Sequence, residues 1–143
     1  MTPDEAEAIL ALASEVAVGV ELASDEAAFR ADWRVRYAAE RVVERIFQAA
    51  EGLPEELRER YFGDRGFRAL RGMRNRLAHN YLDIDADILW ESISVDLRAV
   101  RGRVAREAHE ARSLIDGLLV EQDVGSDEWD RRHLGVVAPT DSE

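Results

Sequence analysis

Arg74, Asn75, His79 and Tyr81 fall within one short stretch, and five arginines with no acid occupy residues 65–76. Arginine is permanently charged and makes forked hydrogen bonds to phosphate. Histidine titrates near neutral pH and can move protons. Without a metal, that pairing suits cleavage of RNA by its own 2′-hydroxyl. His79 would assist proton transfer, and Arg74 would stabilise charge on the pentacoordinate phosphate. Asn75, one helical turn from His79, is placed to orient the imidazole or to bind substrate. Arg68, Arg71 and Arg76 would hold the RNA backbone. A basic helix face is often only solvated, but this one stands in a chain of net charge −11. A local positive patch on a surface that elsewhere repels anions is what a phosphate-bearing ligand needs.

The wider composition narrows the classes. The 143 residues fit one domain. They are 46% hydrophobic and 34% charged, enough for a single core under a soluble surface. There is no cysteine, which excludes disulfides, thiol catalysis and iron–sulfur clusters. No apolar run approaches a membrane span. The start, Met1-Thr2-Pro3-Asp4-Glu5, is acidic and unlike a secretory or transit peptide, so a cytoplasmic protein is expected. All 19 basic residues are arginine. A GC-rich genome accounts for that, and a salt-loving host is the other reading.

The elements that must position these residues are helices, because Ala, Glu, Arg and Leu dominate and β-branched runs are short. The sequence predicts a first helix from Pro3 to about Ala23 with Thr2 as N-cap. A second, capped by Ser24, carries Phe29, Trp33, Tyr37, Val42, Val43, Ile46 and Phe47 to Gly52, with enough apolar residues for two buried faces. A short helix comes next, from Pro54 to about Phe62, then a turn at Gly63-Asp64-Arg65-Gly66. A fourth helix spans Phe67 to about Asn80. A fifth, capped by Asp83 or Asp85, reaches about Leu119 with one apolar stripe: Leu89, Ile93, Leu97, Val100, Val104, Ala111, Ile115 and Leu118. The expected fold is therefore all-α, an antiparallel helical bundle of about five helices over residues 1–120. Residues 121–143 hold seven acids and two arginines and read as a flexible acidic tail.

On an ideal helix at about 100° per residue, Leu70, Met73 and Leu77 point roughly opposite to His79. Arg68, Gly72 and Asn75 share the histidine's side. Arg74 lies about 140° around from His79, too far for both to grip one phosphate from a single straight helix. Two copies meeting across a two-fold axis would line one cleft with both sets, so the angles predict a homodimer.

Arg74-x-x-x-x-His79-x-Tyr81 resembles the R-x-x-x-x-H-x-Y signature of the HEPN superfamily, and more narrowly the HepT-like ribonuclease toxins of HepT–MntA toxin–antitoxin pairs. Leu70-Arg71-Gly72-Met73-Arg74-Asn75-Arg76-Leu77-Ala78-His79 is similar to that family's motif helix. Tyr81-Leu82-Asp83-Ile84-Asp85, Leu89-Trp90 and Asp96-Leu97 resemble the segment after that helix, and Trp33 to Leu53 resembles the family's second helix. The resemblance covers about residues 1–118. It implies a metal-independent endoribonuclease with no cofactor, active as a dimer with a composite cleft. It also implies a partner nucleotidyltransferase antitoxin, MntA-like, that neutralises the toxin by transferring AMP to the motif tyrosine, here Tyr81. By position alone Tyr81 is a tyrosine just past a helix end, most simply a packing residue.

Other constellations carry less. Asp83-x-Asp85-x-Asp87 begins like a calcium loop, but Ile88 and Ser94 occupy the positions that need glycine and glutamate. The aspartates read as helix caps. His79, His109 and His133 are too scattered for a zinc motif, and no metal ligand set is expected. Trp33 and Trp90 read as core or interface residues. Two other functions fit the chain: a non-catalytic HEPN module that binds a nucleotidyltransferase, and a plain helical dimerisation protein. The net charge of −11 favours the first of these over an efficient nuclease, because long-range attraction to RNA is poor. A positive cleft formed by the arginine helix separates the three.

Overall fold

The structure, a computed structural model, describes residues 1–79 and 85–133, with side chains described through residue 121. The elements are α1 (Pro3–Leu22), α2 (Glu26–Ala31), α3 (Trp33–Glu51), α4 (Glu55–His79), α5 (Ala86–Glu91), a π-helical turn (Ser92–Asp96) and α6 (Leu97–His133). Among the described residues there is no strand, so the fold is all-α.

Local chemistry sets the boundaries. Thr2 and Glu5 form a reciprocal capping box at the start of α1, with Pro3 in the first turn. The expected second helix is two. Asp25, not Ser24, caps α2 by accepting from the Ala28 N–H at 3.0 Å. Asp32 then caps α3, accepting from the Arg34 N–H, and also grips the Arg34 guanidinium. An aspartate with a competent side-chain acceptor inside an apolar run offers the backbone a fresh start, and the chain takes it. Arg36 reaches back to the carbonyls of Phe29 and Arg30, two of those left open at the end of α2.

The separate third and fourth helices of the sequence reading are the two arms of α4. The break is narrower than the expected four-residue turn: Gly63 alone leaves helical geometry, at φ 70° and ψ 165°. That left-handed φ suits glycine, and a Cβ there would touch nothing within 4 Å. The Tyr61 carbonyl at the break accepts from Arg103 Nη1 at 3.0 Å.

The predicted fifth helix is interrupted by the π turn. Leu89, Ile93 and Leu97 are all buried, two successive steps of four residues. In a pure α-helix each such step drifts by about 40°, and the wider π turn absorbs the drift. Asp85 is the cap of α5, accepting from the Asp87 N–H at 2.8 Å. The last helix does not end near Leu119 but continues to His133, so the expected tail begins as helix. Residues 134–143 lie outside the described residues.

The core is built where α1 lies against α3 and α6. Ile9, Leu12, Val16, Ile46, Leu89 and Ile93 are fully buried there with Phe29. A Cβ on Gly19 would sit 2.4 Å from Leu97 Cδ1 and 3.2 Å from Val42 Cγ1, so glycine is what allows that close approach. A Cβ on Gly52 would meet Ala8, so α1 and α3 run antiparallel. Phe47 packs on Phe67, while the start of α3 meets Leu77, so α4 runs antiparallel to α3. Among the described side chains of α6, Ala111 is the last fully buried one, and Leu119 and Val120 are exposed. The helix is about 55 Å long and α1 about 30 Å, so α6 overhangs the bundle.

Tyr61 is fully buried, and its hydroxyl has no hydrogen-bond partner among the described residues. Burial, reinforced by the nearby Glu107 carboxylate, pushes the phenol up to about 12. An unmade buried hydrogen bond costs about 1–3 kcal/mol. Tyr61→Phe is therefore expected to raise stability by about 1 kcal/mol, read as a higher urea midpoint at unchanged m. Because the folded-state value is raised, wild-type stability should also fall as pH climbs from the unfolded value near 10 towards 12. Tyr61→Phe should flatten that decline, and an equally steep decline would show that another group causes it.

Candidate active site

The arm of α4 after Gly63 carries the basic run. Its core side is Leu70, Met73 and Leu77, of which Leu77 is buried and the other two pack against the core. Arg68, Arg71, Arg74, Asn75, Arg76 and His79 are all exposed. The expected division of the helix into an inner apolar side and an outer polar side is what the structure shows. His79 is the last residue of α4.

The arginines differ in how they are held. Arg68 pairs with Asp64 at 3.1 Å, which half-neutralises the start of the patch. Among the described residues Arg65, Arg71, Arg74 and Arg76 make no ion pair. Two aromatic rings pin part of this set. Phe47 on α3 and Phe67 on α4 stack with centroids 5.7 Å apart at 13°. Arg74 lies over Phe47 at 5.4 Å, and Arg71 over Phe67 at 5.2 Å. Arg58, from the other arm of α4, covers the same Phe67 ring at 5.1 Å. Each contact contributes about 0.5–1 kcal/mol at an exposed site and orients a planar guanidinium without consuming its charge.

Arg74 also donates to Asn75 Oδ1 at 3.4 Å. Asn75 is thus turned to the arginine, and among the described residues it makes no hydrogen bond to His79. Arg74 faces a depression of about 370 Å³ with Arg41, Glu44, Phe47, Gln48, Glu51 and Ala78. His79 is not among the residues lining it. Within one chain, then, Arg74 leans towards α3 while His79 stays on the next face of α4, as the helical angle requires. Tyr81 lies outside the described residues.

The sequence reading missed the aromatic pins. Their signal was present: Phe67, Arg71 and Arg74 recur at four and three residues, one helical stripe. Trp33, expected in the core or at an interface, is 60% exposed and so is not a core residue. Trp90 packs on Phe29, with centroids 5.1 Å apart.

A family model described as ribonuclease HepT-like matches residues 9–106, from α1 through the first turns of α6. The chain belongs to the HepT-like ribonuclease family. The match contains the whole arginine-bearing arm of α4 and leaves out the overhang of α6. Among curated relatives of this HepT-like chain is a Methanocaldococcus jannaschii protein described as a candidate RNase, 31% identical over 67 residues, 47% of this chain and 54% of the relative. A second protein of that organism, described likewise, is 31% identical over 67 residues, 47% of this chain and 57% of its own length. A Thermococcus cleftensis protein named "Probable ribonuclease HepT" is 27% identical over 75 residues, 52% of this chain and 67% of its own length. The matched region thus spans just over half the length of the two M. jannaschii relatives. No solved structure gives a significant match. Among the described residues no helix is long and apolar enough to cross a membrane.

Proposed function

We propose that this HepT-like chain is a metal-independent endoribonuclease, the toxin of a toxin–antitoxin pair, working as a homodimer. The observation that carries the reading is the exposed, unneutralised Arg71–Arg74–Arg76 run ending in His79, on a chain of this ribonuclease family. His79 takes the proton from the 2′-hydroxyl or returns one to the leaving 5′-oxygen. Arg74, held by Phe47 and Asn75, meets the charge that grows on the pentacoordinate phosphate. Arg68, Arg71 and Arg76 bind flanking phosphates by counterion release, which makes affinity strongly salt-dependent. The chain's net charge of −11 weakens long-range attraction to RNA, so binding depends on such local arginine runs.

The antitoxin in this proposal is a nucleotidyltransferase that transfers AMP to the Tyr81 hydroxyl. A bulky anion next to the arginines would occupy their charge and block the RNA phosphate. Tyr81→Phe should therefore cut RNA as wild type does and resist neutralisation.

The test is a matched pair of substrates, one RNA and one DNA of the same base sequence. The RNA should be cut and the DNA left whole, because DNA lacks the attacking 2′-hydroxyl. Equal cutting of both would contradict the mechanism, and no cutting of either would leave a binding module.

A further inference from the structure

We infer that the depression in front of Arg74 reads a base, and that the base is a guanine flanking the phosphate that is cut. The inference rests on the ribonuclease of the proposed function and names the nucleotide that its site selects. The depression holds about 370 Å³ between two helices. That falls within the range of small-molecule sites, about 300–1,000 Å³. Glu44, Phe47, Gln48 and Glu51 line it from α3, and Arg74 and Ala78 line it from α4.

The two walls differ in character. Arg74 shares the depression with Glu44 and Glu51 yet pairs with neither. It rests instead on the ring of Phe47, which is buried and forms the floor. Glu44 is held by Arg41 at 3.1 Å. Among the described residues Glu51 makes no ion pair. The Gln48 side chain makes no hydrogen bond among them either. A cation therefore faces the space from one side, and polar groups with open hydrogen-bonding capacity face it from the other. A nucleotide answers both walls. Its phosphate meets the guanidinium, and a base edge that donates meets the carboxylate. An anion with no donor edge would be repelled by Glu51.

The acceptors select the base. Glu44, Gln48 and Glu51 recur at four and three residues, one stripe along α3 with Gln48 in the middle. An ionised carboxylate only accepts hydrogen bonds, whereas a glutamine amide both donates and accepts. Guanine is the RNA base whose Watson–Crick edge carries two adjacent donors, N1–H and the 2-amino group, beside the acceptor O6. Glu51 accepts from the two donors, and the Gln48 amide nitrogen donates to O6. Adenine, cytosine and uracil each set an acceptor next to their one donor group, so each would turn a lone pair towards a carboxylate. Bases of single-stranded RNA are free to splay out and be read on this edge.

The experiment uses single-stranded RNA oligonucleotides identical except at one base, which is guanine, inosine, adenine or uracil in an otherwise cytosine sequence. Cleavage beside that base and equilibrium binding by fluorescence anisotropy are read on wild type, Glu51→Ala and Gln48→Ala, each checked by circular dichroism. Wild type should favour guanine over adenine by at least about fivefold in kcat/KM, the lower end of what a bidentate base contact is worth. Inosine, which lacks the 2-amino group, should fall between them. Glu51→Ala should bring the guanine-to-adenine ratio to within about twofold, and Gln48→Ala should lower it. A merely structural role for either residue would slow all four substrates alike and keep the ratio, which would overturn the assignment. Equal cutting beside all four bases would overturn the base reading and leave the ribonuclease standing. Inosine cut as fast as guanine would overturn the two-donor contact. A protein that cuts none of them but binds the guanine oligonucleotide more tightly through Glu51 would remove the ribonuclease and keep the subsite. Equal binding without cutting would overturn both.

Discussion

His79→Ala should lower the rate of RNA cleavage by about 10²–10⁴-fold, the usual worth of a positioned general acid or base. Arg74→Ala should cost about 10²–10³-fold, comparable to removing one charge-stabilising donor from a transition state. Both side chains are exposed, so neither loss should come from unfolding: surface substitutions usually change stability by less than about 0.5 kcal/mol. Arg74→Lys should fall between wild type and alanine. It keeps the charge and loses the planar fork and the face that rests on Phe47. Initial rates beside thermal melts decide this. A melt unchanged with a rate within twofold of wild type would remove that residue from the mechanism.

The second large effect is restoration by mixing. His79→Ala and Arg74→Ala should each be inert alone. Mixed in equal amounts and allowed to exchange, half of the dimers pair one subunit of each kind. If Arg74 of one copy works with His79 of the other, each mixed dimer holds one intact site of two, and activity should return to about a quarter of wild type. A site built within one chain gives no restoration, because every subunit then lacks one of its own groups. The helical angle between the residues and the lean of Arg74 towards α3 both favour the shared site. A mixture as inert as its components would contradict it.

Much of this was legible in the sequence because helical spacing reports directly on facing. Leu70, Met73 and Leu77 at three and four residues fixed the inner side of α4, and with it the exposure of Arg74 and His79. Thr2, Pro3 and Glu5 announced the start of α1. What spacing could not give was any choice between competing local caps or any contact between distant segments. Asp32 sits inside an unbroken apolar pattern, and only its side-chain acceptor shows why α2 and α3 separate there. The π turn hides in two steps of four residues that a plain helix nearly tolerates. Phe47 and Phe67 are twenty residues apart, so their stack and the arginines on it depend on how α3 and α4 pack. Trp33 is apolar by type, and type alone does not tell a core residue from an exposed one. The end of α6 was missed for a related reason. Past Leu118 the sequence loses its apolar rhythm, yet the backbone remains helical to His133.

The most direct measurement is the chemistry of the cut ends when purified protein acts on RNA in excess EDTA. Attack by the 2′-hydroxyl under His79 and Arg74 predicts undiminished cleavage, with 2′,3′-cyclic phosphate on one fragment and 5′-hydroxyl on the other. Cleavage that stops in EDTA, or that leaves 5′-phosphate and 3′-hydroxyl ends, would mean that a metal-activated water does the work and that the arginine–histidine mechanism is wrong.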